Sequence, residues 1–336
     1  MPLNVEFRKL HVTRSGSYLV SLPKRWVTRV GLKSGSLVEV LEIGDGSLLV
    51  KPKITEEEER QTVAVIELSD VVGREVLGNY LLGADVIRIK SPHRITLSQR
   101  EKIKEVLAML TGIEIVEEKP QEIVLQCLLS PLAIPIKTLL RRASILAFQM
   151  HTDAITALKE HDYELAGSVI NRDSDLNKIY FLIVRQLRAI IQNPSLSEKA
   201  EVSLMETLDY RLVARALESI GDQAVSIARN VISLKDKEVK PEVLDKIVKL
   251  SELIKQMQEK AMQSLFNADI KQAEILVRLK MGQETLNMIE DLNQEVIKEQ
   301  SPVAVHLSEI LTSLRRIREN CIDIADLVIR KPTIQR

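Results

Sequence analysis

The chain has 336 residues, of which 45% are hydrophobic and only 3% aromatic. Basic and acidic side chains balance at 47 each, and this zero net charge excludes a uniformly basic nucleic-acid coat. The only cysteines, Cys127 and Cys321, lie far apart, which argues against a disulfide framework and for a reducing compartment. No apolar run approaches the ~20 residues of a membrane span, and the N-terminus lacks the apolar core of a signal peptide. We expect a cytoplasmic protein of two or three domains.

Alternating apolar residues between Val5 and Val12 predict a first strand in the segment 1–53. Pro23 fits the first position of a small helix, because its missing N–H would be unpaired there anyway. Gly31 then supplies the left-handed residue that ends the helix. The first segment is therefore predicted to combine short strands, tight turns and one helix.

A hairpin is predicted at Gly44-Asp45-Gly46, since these residues tolerate the positive φ of such turns. The whole segment has a single tryptophan and makes a marginal core alone, so we expect it to pair with a second chain. Residues 54–60, which include four consecutive glutamates, are expected to form a charged linker.

Positive charge is concentrated in the same segment, where nine basic and four acidic side chains leave a surplus of five. The candidate DNA-binding residues are Arg8, Lys9, Arg14, Lys24, Arg25 and Arg29. Guanidinium and ammonium groups on a small rigid module suit contacts with DNA phosphates, and arginine can also read guanine edges. The alternative, a basic surface that serves solubility alone, remains open.

Residues 61–129 alternate in the order β-α-β-α-β-β, which predicts a small α/β sandwich. Ser98, with Glu101 three residues later, predicts a capping box at the start of the second helix. A glycine-rich phosphate loop is absent from this stretch. We expect a spacer or dimerisation unit, with a small-ligand pocket as the alternative.

The remainder of the chain is predicted to be almost entirely helical. Six amphipathic helices are expected at Ile134–Glu160, Asp162–Ile191, Ser197–Leu234, Pro241–Asn267, Asp269–Glu299 and Val303–Ile329. The apolar positions of residues 217–232 coincide with those of residues 314–329, which indicates an internal repeat. Two three-helix bundles are therefore predicted, over residues 131–236 and 237–331. A chance match between two amphipathic helices is the alternative.

Two carboxylates, Glu218 and Asp222, lie four residues apart on one face of the third long helix. Asp173 and Asp175 on the preceding helix could join them to hold a divalent metal or iron. In the second repeat Arg315 interrupts the pair. The alternative is a solvated acidic stripe.

Arrangements typical of catalysis are lacking. The five histidines are scattered without ligand spacing, and no serine stands in a G-x-S-x-G turn. We therefore expect a protein that is not an enzyme.

The stretch 10–53 contains Gly16-Ser-Tyr-Leu-Val-Ser-Leu-Pro-Lys-Arg-Trp26 and Gly31-Leu-Lys-Ser-Gly-Ser-Leu-Val-Glu-Val40. It resembles the AbrB/SpoVT/MazE swapped-hairpin family of DNA-binding domains. The resemblance implies an interleaved homodimer on double-stranded DNA. It also implies DNA contacts through basic residues, which here are Arg8, Arg14, Lys24 and Arg25.

Residues 131–329, through Thr152–Ala157 and Leu217–Ala228, resemble the PhoU family of phosphate-uptake regulators. The resemblance implies two three-helix bundles, phosphate transporter or signalling partners, and multinuclear metal held by paired E-x-x-x-D motifs. Only one such motif matches here, because the partner motif falls on Tyr180 and Val184. The fusion looks like archaeal regulators of this type.

The predicted fold class is α+β and multidomain: a small swapped-hairpin β module, a small α/β sandwich, then two PhoU-like three-helix bundles. The preferred hypothesis is a homodimeric, DNA-binding transcription regulator of phosphate uptake with a sensor or partner-binding bundle. One alternative is a transporter-associated PhoU-like protein whose N-terminal module only dimerises. Another is an antitoxin-like DNA binder with a structural bundle.

Overall fold

A computed structural model describes residues 5–42, 46–52, 61–298 and 302–328. The chain divides into two compact units, Met1–Gln61 and Thr62–Arg336. The predicted linker 54–60 and most of the predicted Gly44-Asp45-Gly46 turn lie outside the described residues. Within the described ranges, no helix is long and apolar enough to cross a membrane.

The first unit consists of two antiparallel strand pairs with one short helix between them. Its elements are β1 (His11–Val12), β2 (Tyr18–Leu19), α1 (Lys24–Arg29), β3 (Val38–Glu42) and β4 (Leu48–Pro52). Pro23, predicted at the first position of the helix, instead lies just before α1 as its extended N-cap, whereas Gly31, at φ 75°, follows the helix as predicted. The strand predicted from Val5 begins only at His11, because no strand among the described residues lies beside residues 5–10 to complete a hydrogen-bonded ladder.

None of the described residues of the first unit is buried. Large apolar side chains lie open to solvent instead, including Phe7, which is 95% exposed, and Val12, which is 63% exposed. An apolar surface of this extent is expected where a small module completes its core with another chain.

The second unit begins with a four-stranded sheet in the order β5-β6-β8-β7, in which only the β5–β6 pair is parallel. The elements are β5 (Val63–Glu67), α2 (Val72–Leu81), β6 (Val86–Lys90), α3 (Leu97–Leu107), β7 (Ile113–Glu118) and β8 (Glu122–Cys127). Both helices pack on one face of the sheet, around a core that includes Ile87, Ile103 and Leu125. This is the predicted α/β sandwich.

The predicted cap of α3 is wrong. The helix is capped at Thr96, whose side chain accepts a hydrogen bond from the Gln99 backbone, while the Gln99 side chain accepts one from the Thr96 backbone. Ser98 with Glu101 has the same spacing, but Ile95 is buried and holds the chain against the core just before Thr96. The helix therefore starts two residues earlier.

Long helices make up the rest of the second unit. They are α4 (Ile136–Glu160), α5 (Tyr163–Gln192), α6 (Ser195–Ala200), α7 (Leu204–Ser233), α8 (Pro241–Asn267), a π-helix (Gln272–Met281), α9 (Gly282–Lys298) and α10 (Pro302–Asp326). Helices α4, α5 and α7 pack as one bundle, and α8, the π-helix with α9, and α10 pack as the second. One hydrophobic core runs through both bundles. The predicted pair of three-helix bundles is confirmed.

Two of the predicted helices are interrupted. The one expected to begin at Ser197 breaks at Glu201, at φ 52°, and restarts as α7 with Ser203 and Glu206 forming a capping box. The one expected to begin at Asp269 opens as a π-helix. At the junction with α9, the Arg318 guanidinium of α10 donates two hydrogen bonds to the Gly282 carbonyl, at 2.9 and 2.8 Å.

The α/β sandwich is fixed to the first bundle by Arg185 of α5. Its buried guanidinium lies over the Tyr80 ring at 4.8 Å and donates hydrogen bonds to the Tyr80 and Ala84 carbonyls. Gln192 donates to the Leu82 carbonyl at 3.2 Å. These donors bind carbonyls at and just after the C-terminal end of α2, where the Tyr80 carbonyl also accepts a hydrogen bond from the Gly83 backbone. Sandwich and bundle therefore form parts of one compact unit.

Gly221 of α7 lies where α5 approaches closely, and replacing it measures how close the two helices are. A Cβ at Gly221 would lie 2.2 Å from Cδ2 of the buried Leu176, whereas a Cβ at Gly167 of α5 would meet nothing within 4 Å. Alanine in a helix is favoured over glycine by about 1 kcal/mol, and overpacking costs about 1–3 kcal/mol. We expect Gly221→Ala to be less stable than the control Gly167→Ala by about 1–3 kcal/mol in urea unfolding. Equal stability of the two variants would contradict the close approach.

Candidate functional site

Three carboxylates, two of them half-buried and one exposed, meet where α5 lies against α7. Asp173 comes from α5, and Glu218 and Asp222 come from consecutive turns of α7. They are close enough that the charge of Asp222 raises the pKa of Glu218 and the charge of Asp173 raises the pKa of Asp222. We call these three residues the acidic cluster.

Burial is the main cause of the raised pKa of each carboxyl in the acidic cluster. Repulsion between the carboxylates adds to it for Glu218 and Asp222. For Asp173 the Arg229 guanidinium and a hydrogen bond from Asn177, at 2.9 Å, act in the opposite direction. Negative charge here therefore costs free energy that a bound cation would relieve.

Two arginines border the acidic cluster. Arg215 forms an ion pair with Glu218. The positive charge of Arg229 opposes the rise in the pKa of both Asp173 and Asp222. The predicted metal site did not include these two arginines, although their spacing in the sequence indicates that they lie near Asp222. Arg215, Asp222 and Arg229 recur every seven residues and so share one face of α7.

Asp175, the fourth predicted metal ligand, does not join the acidic cluster. Its side chain is 61% exposed and pairs with Lys178 at 3.4 Å. The two positions at which the PhoU resemblance would require carboxylates, Tyr180 and Val184, are buried in the core of the bundle. Arg211 lies over the Tyr180 ring at 5.1 Å.

The acidic cluster supplies oxygen ligands of the type that hard cations prefer. Among the described residues, however, no group of three or more His, Cys, Asp or Glu side chains is placed to hold a metal ion. The ion pair with Arg215 also engages one of the two carboxylates that the sequence analysis singled out. Metal binding at Glu218 and Asp222 stays a prediction.

The six candidate DNA-binding residues of the first unit are all exposed. Arg14 lies in the turn between β1 and β2, and Arg25 and Arg29 lie four residues apart on one face of α1. Arg8 forms an ion pair with Glu6. In the described part of the chain the other five, which are Lys9, Arg14, Lys24, Arg25 and Arg29, form no ion pair. Their charges are therefore available to an anionic partner.

Comparison with protein families finds a domain model at each of these two sites. The PhoU domain model matches residues 140–231, which contain the acidic cluster. The model described as antidote-toxin recognition MazE, bacterial antitoxin, matches residues 12–58, which contain four of the six candidate DNA-binding residues. A search of curated proteins finds no match.

Two solved structures resemble the helical part. One is the phosphate transport system regulatory protein PhoU from Streptococcus pneumoniae, with a TM-score of 0.51 and 19% identity over 57% of this chain and 91% of that one. The other is PhoU from Pseudomonas aeruginosa, with a TM-score of 0.52 and 21% identity over 57% of this chain and 93% of that one. At these identities the likeness shows the fold.

The raised pKa values give the acidic cluster a testable pH dependence. A carboxyl whose pKa is raised by folding destabilises the protein at every pH above that pKa, and the cost disappears below the unfolded value of about 3.9. We expect Asp222→Asn to unfold at a higher temperature than the wild type near pH 7, with the difference shrinking towards about pH 4. Thermal unfolding followed by circular dichroism measures it.

The matched control for this prediction is Asp175→Asn, because Asp175 is exposed and outside the acidic cluster. It should give no such gain near neutral pH. A lower unfolding temperature for Asp222→Asn, with the same loss produced in the wild type by a chelator, would instead show a tightly held cation.

Proposed function

We propose that this chain, which fuses a MazE-type antitoxin domain to a PhoU domain, is a cytoplasmic DNA-binding transcription regulator of phosphate uptake. The observation that carries the proposal is the set of six exposed candidate DNA-binding side chains on the first unit, of which five form no ion pair within the described residues. The PhoU-like bundles would act as the sensor or partner-binding part. The proposed activity is binding, without catalysis.

The basic side chains suit DNA in their placement as well as their charge. Arg14 projects from a tight turn, and Arg25 and Arg29 stand on a short helix, so all three are held on well-defined backbone. Such groups contact successive phosphates along a groove, and an arginine that reaches a base edge can hold guanine with two hydrogen bonds. We propose Arg8, Lys9, Arg14, Lys24, Arg25 and Arg29 as the DNA-contacting set.

A homodimer is part of the proposal, because the first unit has no buried core of its own in its described residues. Pairing with a second copy would cover exposed apolar side chains such as Leu19 and Val40. It would also double the number of basic groups and give the protein the two-fold symmetry that matches palindromic DNA sites.

The link to phosphate rests on the PhoU domain and on the fold of the helical region. The Streptococcus pneumoniae protein is, by its title, a regulator of a phosphate transport system. The acidic cluster offers one place where a cation or a basic partner could report phosphate status. The alternative function is that of a transporter-associated regulator whose first unit only dimerises, and the DNA experiment below separates the two.

The dimer is tested by a charge placed on the apolar surface of the first unit. We expect the full chain to sediment as a dimer or a larger assembly, and Leu19→Asp to shift it towards the monomer because an unpaired carboxylate would be buried in the contact. The control is Ile145→Asp on α4, where the native side chain is 69% exposed. A monomeric wild type would contradict the proposal, as would a Leu19→Asp variant that associates unchanged.

DNA binding is tested by titrating the full-length protein on genomic fragments at two salt concentrations. Affinity should fall steeply as salt rises, because each neutralised phosphate releases counterions. If Arg14 or Arg25 contacts only phosphate, its replacement by alanine should weaken binding to all sequences and flatten the salt dependence. If it reads a guanine, roughly 1–3 kcal/mol of discrimination at one base pair should disappear.

Arg142→Ala is the matched control for the titration, because it removes an exposed arginine from α4 of the bundle. It should bind as the wild type does. If no fragment is preferred and the Arg14 and Arg25 variants equal the wild type, the first unit is a dimerisation device and the transporter-associated function takes precedence.

A further inference from the structure

The first half of α7 exposes a row of apolar side chains. Met205 is 72% exposed, and Leu208 and Leu212 are each 55% exposed. Their spacing of three and four residues places them on one face of the helix. A contiguous apolar row, unlike a single exposed side chain, marks a surface that something covers. We call these three residues the apolar ridge.

The apolar ridge continues the stripe of α7 that α10 covers. Met205, Leu212, Ser219 and Ser226 follow one another at intervals of seven residues. Ser219 accepts a hydrogen bond from Asn320 of α10 at 3.1 Å, and Ser226 accepts one from Ser313 at 3.1 Å. Helix α10 therefore covers the second half of the stripe and leaves the first half open.

The direction of α10 brings the end of the described chain to the apolar ridge. Seven residues forward on α10, from Ser313 to Asn320, correspond to seven residues backward on α7, from Ser226 to Ser219, so the two helices are antiparallel. One further step in the same register places Leu327 beside Leu212. The described chain stops one residue later, at Val328.

The sequence continues past this point with residues 329–336, which lie outside the described residues. Eight residues can span up to about 26 Å. The apolar ridge from Leu212 to Met205 measures only ~10 Å along the helix axis. The segment contains two isoleucines, Ile329 and Ile334, and so has apolar side chains that match the ridge.

Charge also favours this segment as the occupant. It carries three basic side chains, which are Arg330, Lys331 and Arg336. Beside the apolar ridge lie Glu206 and Asp209, and the charge of Glu206 contributes to the raised pKa of Asp209. The arginines of the same part of α7 are engaged on the side that faces α5, where Arg211 lies over Tyr180 and Arg215 pairs with Glu218.

We propose that residues 329–336 dock along the apolar ridge of α7 within the same chain, with the isoleucines on the ridge and the basic side chains near Glu206 and Asp209. The segment then occupies the part of α7 that α10 leaves uncovered. The proposal does not depend on DNA binding or on the phosphate function, since it rests on the α7–α10 register and on the sequence alone.

Disulfide formation in the full-length protein tests the proposal. The variant carries Met205→Cys and Ile334→Cys with Cys127→Ser, and leaves the fully buried Cys321 in place. Under mild oxidation we expect a bond within one chain, which leaves the protein at the mass of a single chain on a denaturing non-reducing gel and links the two peptides in a digest. The matched control replaces Met205→Cys by Ile145→Cys, an apolar position on α4 with similar exposure, and should form little of this bond.

Two results of the disulfide experiment would overturn the proposal. A bond between chains would show that a second copy covers the apolar ridge. The same low yield in the test variant and in the control would show that the segment does not reach it.

Methionine oxidation in the native sequence gives a second, independent measurement. Hydrogen peroxide should oxidise Met205 several-fold faster in a chain that ends at Val328 than in the full chain, because docking covers its sulfur. Met150 is fully buried in the same bundle and should react slowly in both chains, which shows that the shorter chain is folded. Equal rates at Met205, with Met150 still protected, would refute the docking.

Discussion

Helix α7 is packed on three sides, against α4, α5 and α10, and the acidic cluster and the apolar ridge both lie along this one helix. Leu217, Ile220, Ala224 and Ala228 are fully buried on the packed sides, and Gly221 lets α5 come close. The acidic cluster lies where α5 packs against α7, and the apolar ridge lies on the stripe of α7 that α10 leaves uncovered. The position of each is therefore set by the helix that packs beside it.

The two compact units differ in how far they bury their apolar side chains. The second encloses a continuous core across both bundles, built almost wholly from aliphatic side chains, as the low aromatic content requires. In the first, no described residue is buried, and many of the apolar side chains are exposed. A module of this kind is expected to gain free energy of folding when a partner chain covers its exposed apolar side chains.

Local patterns predicted the order of the elements and the two bundles, because helix periodicity, Pro241 and Gly31 act within a few residues of their own position. Local patterns gave the wrong helix start where two capping patterns overlap, as at Thr96 and Ser98. They also missed the π-helix, whose junction with α9 contacts Arg318 from a distant part of the chain. For the acidic cluster, spacing identified Glu218 and Asp222 but could not choose between Asp173 and Asp175. The packing of α5 against α7 places Asp173 in the acidic cluster and leaves Asp175 outside it.

The position of Arg185 has a consequence for how the molecule can be divided. Its guanidinium completes the end of a helix more than a hundred residues earlier in the chain, so the sandwich cut away from the bundle would lose the donors to its Tyr80 and Ala84 carbonyls. The bundle, in turn, would expose a cation shaped to fit against Tyr80. The sandwich and the helices behind it are thus expected to unfold together, because each would lose buried contacts without the other.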